Sequence, residues 1–260
     1  MKNSFKFFLI ILVFCLKVSS MSAAEQTEKL LNPGWGFKGF FGKFDRGSLQ
    51  RGYQVYTEVC AACHSMKYLS YRNLSETGGP EFTQDQVKAI ASQFEVTDGP
   101  NDDGDMFTRP ARPADNFVSP YANEKAAIAA NGGAYPPDMS VLVKARSGGA
   151  DYIYSLLLGY EDPPSNFQLD DGVYYNAYMP GNKIMMPNPL SEGLVEFNDG
   201  TQATNEQMAK DVVTFLAWSA EPHLESRHRI GFKVIIYLII LALLAYLSMK
   251  RLWSRIEPKV

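Results

Sequence analysis

The stretch Cys60-Ala61-Ala62-Cys63-His64 decides how this chain is read. Two cysteines three positions apart, followed at once by a histidine, form a C-x-x-C-H motif, the pattern of covalent haem attachment. The spacing has a physical reason. Thiols on one helical turn reach both vinyl groups along one edge of a porphyrin, while the adjoining imidazole is carried beneath the iron. Upstream, Leu49, Tyr53, Tyr56 and Cys60 recur at steps of four, three and four, so an amphipathic helix over 47–59 leads into the motif. That periodicity argues against a thioredoxin-like site, in which C-x-x-C opens a helix after a strand. Zinc would need further Cys or His ligands. The remaining histidines are His223 and His228, and the third cysteine, Cys15, lies in the N-terminal apolar run.

The ends of the chain place this motif outside the cytoplasm. Residues 1–24 open with Lys2 and Lys6, continue through an apolar run from Phe7 to Leu16 and close on Ser22, Ala23 and Ala24, a secretory signal pattern. The run is too short to span a bilayer. Residues 230–249 are apolar or small except Lys233, and at about 1.5 Å per residue they cover about 30 Å, one hydrocarbon core. Lys250, Arg251, Arg255 and Lys259 follow in the tail 250–260, which by the positive-inside rule stays cytoplasmic. Residues 25–229 are then an exported haem domain on a single-pass anchor. A short signal without the Arg- and Ser-rich character of a transit peptide points to a bacterial inner membrane and a periplasmic domain. That domain carries 17 Lys+Arg against 27 Asp+Glu, a net charge of −10, although the whole chain is only −3. Such a balance excludes nucleic acid as a partner and suits a basic protein.

The sixth iron position separates electron transfer from ligand chemistry. His223 and His228 sit in a charged stretch abutting the membrane, which favours a methionine. Met208 falls on the apolar stripe of a helix with Val212, Phe215 and Leu216, and Met66 is too close to His64 to cross to the opposite haem face. Residues 180–189 form a loop bracketed by Pro180, Gly181, Pro187 and Pro189, stiff enough to hold a thioether. Met185 or Met186 is the expected ligand. Elsewhere the chain reads as mainly α, with short helices over 83–94, 123–131 and 141–146, long Pro/Gly loops and few strands. Thr204 to Gln207 is a capping box opening a helix over 205–220, expected to pack on the helix before the motif. The acidic run 98–105 fails the EF-hand pattern and reads as a solvated loop.

Beyond the motif, the chain resembles the cytochrome c1 family, membrane-anchored haem subunits of ubiquinol:cytochrome c oxidoreductase. The resemblance runs from Gly34-Trp35 through Cys-Ala-Ala-Cys-His-Ser-Met at 60–66, the acidic run continued to Thr108-Arg109-Pro110, Ala-Asn-Gly-Gly-Ala-Tyr-Pro-Pro-Asp at 130–138 and Ala145 to Tyr152, to Trp218 and the anchor. It implies a c-type cytochrome fold with long loop insertions and one C-terminal transmembrane helix. It implies one haem c on Cys60 and Cys63, with His64 and Met186, rather than Met185, as axial iron ligands. Arg146 and Tyr152 match residues near the haem and its propionates. The implied work is one-electron transfer from a Rieske iron-sulfur protein to a soluble cytochrome c, beside cytochrome b, in a translocating complex; the subunit is no enzyme alone. The rival expectations are a membrane-anchored cytochrome serving another oxidase or reductase, and a haem enzyme or sensor with an open axial site.

Overall fold

The computed structural model describes residues 28–255; the expected signal segment 1–24 and residues 256–260 of the tail lie outside them. Helix α1, Arg46–Val55, opens where the Asp45 carboxylate accepts a hydrogen bond from Ser48 N at 2.7 Å. It continues without a break into a wider π-helical turn, Tyr56–Cys60, closed by Ala61 N donating to Tyr56 O at 2.8 Å. Leu49, Tyr53 and Tyr56 are buried as their spacing requires. Cys60, at the end of the wide turn, is half-buried and packs against the same core.

Helix α2, Gln84–Ala91, capped by Thr83, and α3, Glu124–Ala130, capped by Asn123, lie inside their expected ranges. The expected helix over 141–146 is instead a pair of turns, with Ala145 N donating to Val141 O at 3.0 Å. Gly148 and Gly149 follow at φ of +83° and +56°, and that left-handed pair redirects the chain as helix α4, Gly149–Leu158, opens. Helix α4 has no counterpart in the expectation. Two short antiparallel ribbons complete the loops: β1, Glu95–Asp98, pairs with β2, Phe107–Pro110, and β3, Tyr174–Tyr175, pairs with β4, Lys183–Ile184. The acidic run is the turn of the first ribbon. There Asn101 Oδ1 accepts from Asp103 N and Asp105 N at 3.0 and 2.8 Å, while Asp98 and Asp115 both pair with Arg109.

Helix α5, Asn205–Ala220, has the expected bounds. Thr204 Oγ1 accepts from Gln207 N at 3.2 Å, but the Gln207 side chain turns to Asp211 Oδ2 at 2.8 Å instead of completing the box. Helices α1 and α5 cross closely. A Cβ on Gly52 would lie 2.1 Å from Asp211 O and 2.8 Å from Phe215 Cβ, so only glycine permits the approach. At the same crossing the fully buried Asp211 carboxylate accepts from Arg51 Nε at 2.7 Å and from Ser48 Oγ, which meets the cost of burying it. Around this pair, Tyr71 stacks on Phe117 at 4.7 Å, and Phe215 meets Tyr53 at 5.7 Å and Trp218 at 5.5 Å.

The last helix, α6, runs over Leu224–Trp253 and contains the apolar residues 230–249. Its 30 residues make about 45 Å of helix at 1.5 Å each, more than a bilayer core needs. The excess reaches into the domain. Glu225, in the first turn, accepts two parallel bonds from Arg46 Nη1 and Nη2 at 2.8 and 2.9 Å and a third from Phe44 N at 2.9 Å. The charged stretch 221–229 therefore contains the start of the helix, at Leu224, and its first turn is tied to the domain ahead of the apolar residues.

Candidate functional site

The π-helical turn delivers the motif into a tight coil wound on one carbonyl. Cys60 O accepts from Cys63 N at 3.1 Å and from His64 N at 2.9 Å, and Tyr56 OH closes the coil on His64 O at 3.2 Å. Both cysteines are free thiols. Burial, with a smaller push from Cys63, drives the Cys60 thiol up to about 12.

His64 is buried, and its Nδ1 lies 2.8 Å from Pro137 O. A carbonyl only accepts, so Nδ1 carries the proton and Nε2 keeps a free lone pair. Burial lowers the His64 pKa and outweighs the hydrogen bond and the Asp138 charge, so the ring is neutral, the form that binds a metal. The segment that supplies Pro137 is itself fixed. Asp138 accepts from Ser65 Oγ at 2.8 Å, Lys67 N at 2.9 Å and Ser140 N at 2.9 Å, and Met139 N donates back to Ser65 O at 2.8 Å. Burial raises the Asp138 carboxyl, but the bonds from Ser140, Lys67 and Ser65 prevail and hold it below the ordinary carboxylate value. Neither Pro137 nor Asp138 stands out from sequence as a site residue. The available signal is a Pro-Pro-Asp run inside a Gly-rich loop, which says turn without saying what the turn touches.

The methionines divide by environment. Met66, Met139 and Met208 are core residues, whereas Met106 is exposed on the first ribbon's turn. Met185 and Met186 leave ribbon β3–β4 on a loop whose backbone is held by Tyr160 OH donating to Met186 O at 3.0 Å. Met186 is half-buried and Met185 is exposed. A Cβ on Gly132 would sit 3.9 Å from Met185 Cε. One segment, 131–138, thus meets the methionine loop at one end and holds the His64 ring at the other. Tyr152, buried on α4, donates from its hydroxyl to Met179 Sδ at 3.6 Å, a contact sequence reasoning missed. Burial raises its phenol, partly opposed by the Arg146 charge; Arg146 itself is exposed and bonds Ala145 O at 3.2 Å.

These donors suit a covalently attached haem: two unpaired thiols on one turn, and beside them a neutral imidazole with a free Nε2. The comparisons with known proteins agree. The chain is 49% identical over 261 residues to the cytochrome b/c1 of Bradyrhizobium diazoefficiens, covering 93% of this chain; it spans only 38% of that longer protein. It is 47% identical to the mitochondrial heme protein cytochrome c1 1 of Arabidopsis thaliana, covering 94% of this chain and 80% of the relative. With cytochrome c1 of Rhodospirillum rubrum the identity is 46%, over 90% and 91% of the two chains. Residues 35–256 match the sequence profile of the Cytochrome C1 family, so the haem motif, the bound imidazole and the helical anchor are those of a chain that belongs to that family.

Proposed function

We propose that the chain relays single electrons in a membrane-bound quinol:cytochrome c oxidoreductase, taking them from a Rieske iron-sulfur protein and passing them to a soluble, basic cytochrome c, with cytochrome b beside its anchor. When bound, a haem c supplies a one-electron couple whose potential a thioether ligand raises. Cys60 and Cys63 would hold it through their sulfurs, and His64 Nε2 and Met186 Sδ are the donors that would bind its iron. The observation that carries this reading is the bond from His64 Nδ1 to Pro137 O, which fixes the tautomer and aims the free nitrogen away from the backbone. Arg146 and Tyr152 line the propionate side, with the Tyr152 hydroxyl donating to Met179 Sδ. Residues 25–229 face the periplasm of a bacterial cell, 230–249 span the membrane, and the basic residues after them keep the tail in the cytoplasm. Quinol oxidation and charge translocation belong to the complex and not to this subunit.

Optical spectra of the haem-loaded wild-type, Met185→Ala and Met186→Ala chains, each reduced and exposed to carbon monoxide, test the ligand set. Wild type and Met185→Ala are expected to stay low-spin and ignore carbon monoxide, while Met186→Ala binds it. Carbon monoxide binding by Met185→Ala alone reassigns the ligand. Binding by the wild type replaces the relay by a haem with an open site.

A further inference from the structure

Two of the most exposed large apolar side chains in the haem domain are neighbours. Phe40 and Phe41 are 55% and 75% exposed, at the tip of a turn whose sequence is Lys38-Gly39-Phe40-Phe41-Gly42-Lys43. The turn is built to hold them there. Gly42 N donates to Gly39 O at 3.1 Å and Lys43 N to Gly36 O at 3.0 Å; a Cβ on Gly42 would lie 2.1 Å from Phe37 O. Its base is buried: Phe37 packs at a tilt between Trp35 at 5.3 Å and Phe44 at 5.1 Å. Phe44 N and Arg46 are in turn clamped to Glu225 at the top of α6. The tip therefore has a fixed position relative to the anchor. Both rings lie edge-on to Phe232 of α6, with centroids 6.3 and 6.2 Å away.

Phe232 marks a definite level. From Phe232 to Trp253 the helix rises about 31 Å at 1.5 Å per residue, close to the roughly 30 Å of a hydrocarbon core. Trp253 stands among Lys250, Arg251 and Arg255 at one boundary, which puts Phe232 at the other. Phe40 and Phe41 adjoin Phe232, whose neighbours along α6 are exposed apolar side chains, and Lys38 and Lys43 flank the tip as headgroup-seeking cations. We propose that this turn is a second membrane contact: Phe40 and Phe41 enter the headgroup–acyl boundary beside Phe232, so that the haem domain is held at a fixed height and tilt instead of swivelling on one helix. The inference rests on the membrane-anchored reading of α6.

The test uses the full-length, haem-loaded chain in phosphatidylcholine vesicles, with bromine placed on the acyl chains near the glycerol end or near the methyl end. Tryptophan emission of Phe41→Trp is compared with that of Tyr237→Trp, which reports on the span itself. Comparing brominated with unbrominated lipid cancels haem quenching, and the parent chain supplies the background of Trp35, Trp218 and Trp253. An interfacial side chain lies only 5–10 Å deep, so Phe41→Trp is expected to lose about half its added emission with shallow bromine and little with deep bromine. Phe40→Trp replaces it if the first variant does not retain haem. If Tyr237→Trp is quenched and the tip is not, the second contact is wrong, whether the tip faces water or another protein. If Tyr237→Trp is also unquenched, the span reading of α6 fails first.

Discussion

Three hydrogen bonds to one carboxylate decide where the His64 ring points. Asp138 is tied to Ser65, Lys67 and Ser140, and these bonds hold Pro137 against Nδ1. Asp138→Ala strands the donors that converge on it and is expected to cost roughly 2 kcal/mol, read as a lower unfolding midpoint in denaturant. A second expectation at this scale concerns pH. The Arg109 guanidinium and the Arg112 backbone N–H hold the Asp115 carboxyl at about 2, below its ordinary value. A depressed folded-state pKa contributes stability above the unfolded value, and that contribution fades as pH falls towards the folded one. Asp115→Asn should therefore lower the melting temperature at neutral pH, and the gap to wild type should narrow between about pH 4 and pH 2. A gap unchanged across that window would place the effect in packing and not in charge.

Among elements, the crossing of α1 and α5 carries the site, because α1 runs straight into the haem motif. A methyl group at Gly52 would overlap the Asp211 carbonyl, so Gly52→Ala is expected to destabilise by about 3 kcal/mol, the upper end of ordinary overpacking. Thermal unfolding of the haem-loaded chain measures it, and a loss under about 0.5 kcal/mol would show that the helices can separate without consequence. Parts of this architecture are open to reading along the chain. The steps from Leu49 to Tyr56 and from Met208 to Leu216 repeat one helical face, and Thr204 marks a helix start by local hydrogen bonding. Helix α4 escapes such a reading because its apolar run is nearly continuous and its start depends on two glycines with left-handed backbones. Its neighbour at 141–146 shows the opposite error, a periodic segment that the same glycines cut to a pair of turns.

For the whole molecule, the uneven charge makes a kinetic prediction. A domain of net charge −10 attracts a basic partner over a distance that salt shortens, from a Debye length of about 30 Å at 0.01 M to about 3 Å at 1 M. Electron transfer from the haem-loaded chain to a basic soluble cytochrome c is expected to slow by roughly tenfold over that range in stopped-flow measurements. A salt-independent rate would remove charge steering and leave the ligand set untouched.

Some of this protein is local chemistry and can be read directly: thiols and imidazole on one turn, a mostly apolar run of 20 residues before a basic tail, a methionine loop stiffened by prolines. In each case the deciding residues are neighbours in sequence, so spacing and composition suffice. The decisions that tertiary structure alone makes join residues far apart. His64 takes its tautomer from Pro137, 73 positions away, and Arg46 meets Glu225 across 179. Phe40 and Phe41 owe their exposed position to the turn that the fold holds beside α6. No local pattern specifies such pairs, because a hydrogen-bond acceptor or an exposed ring has its meaning only from what the folded chain brings against it.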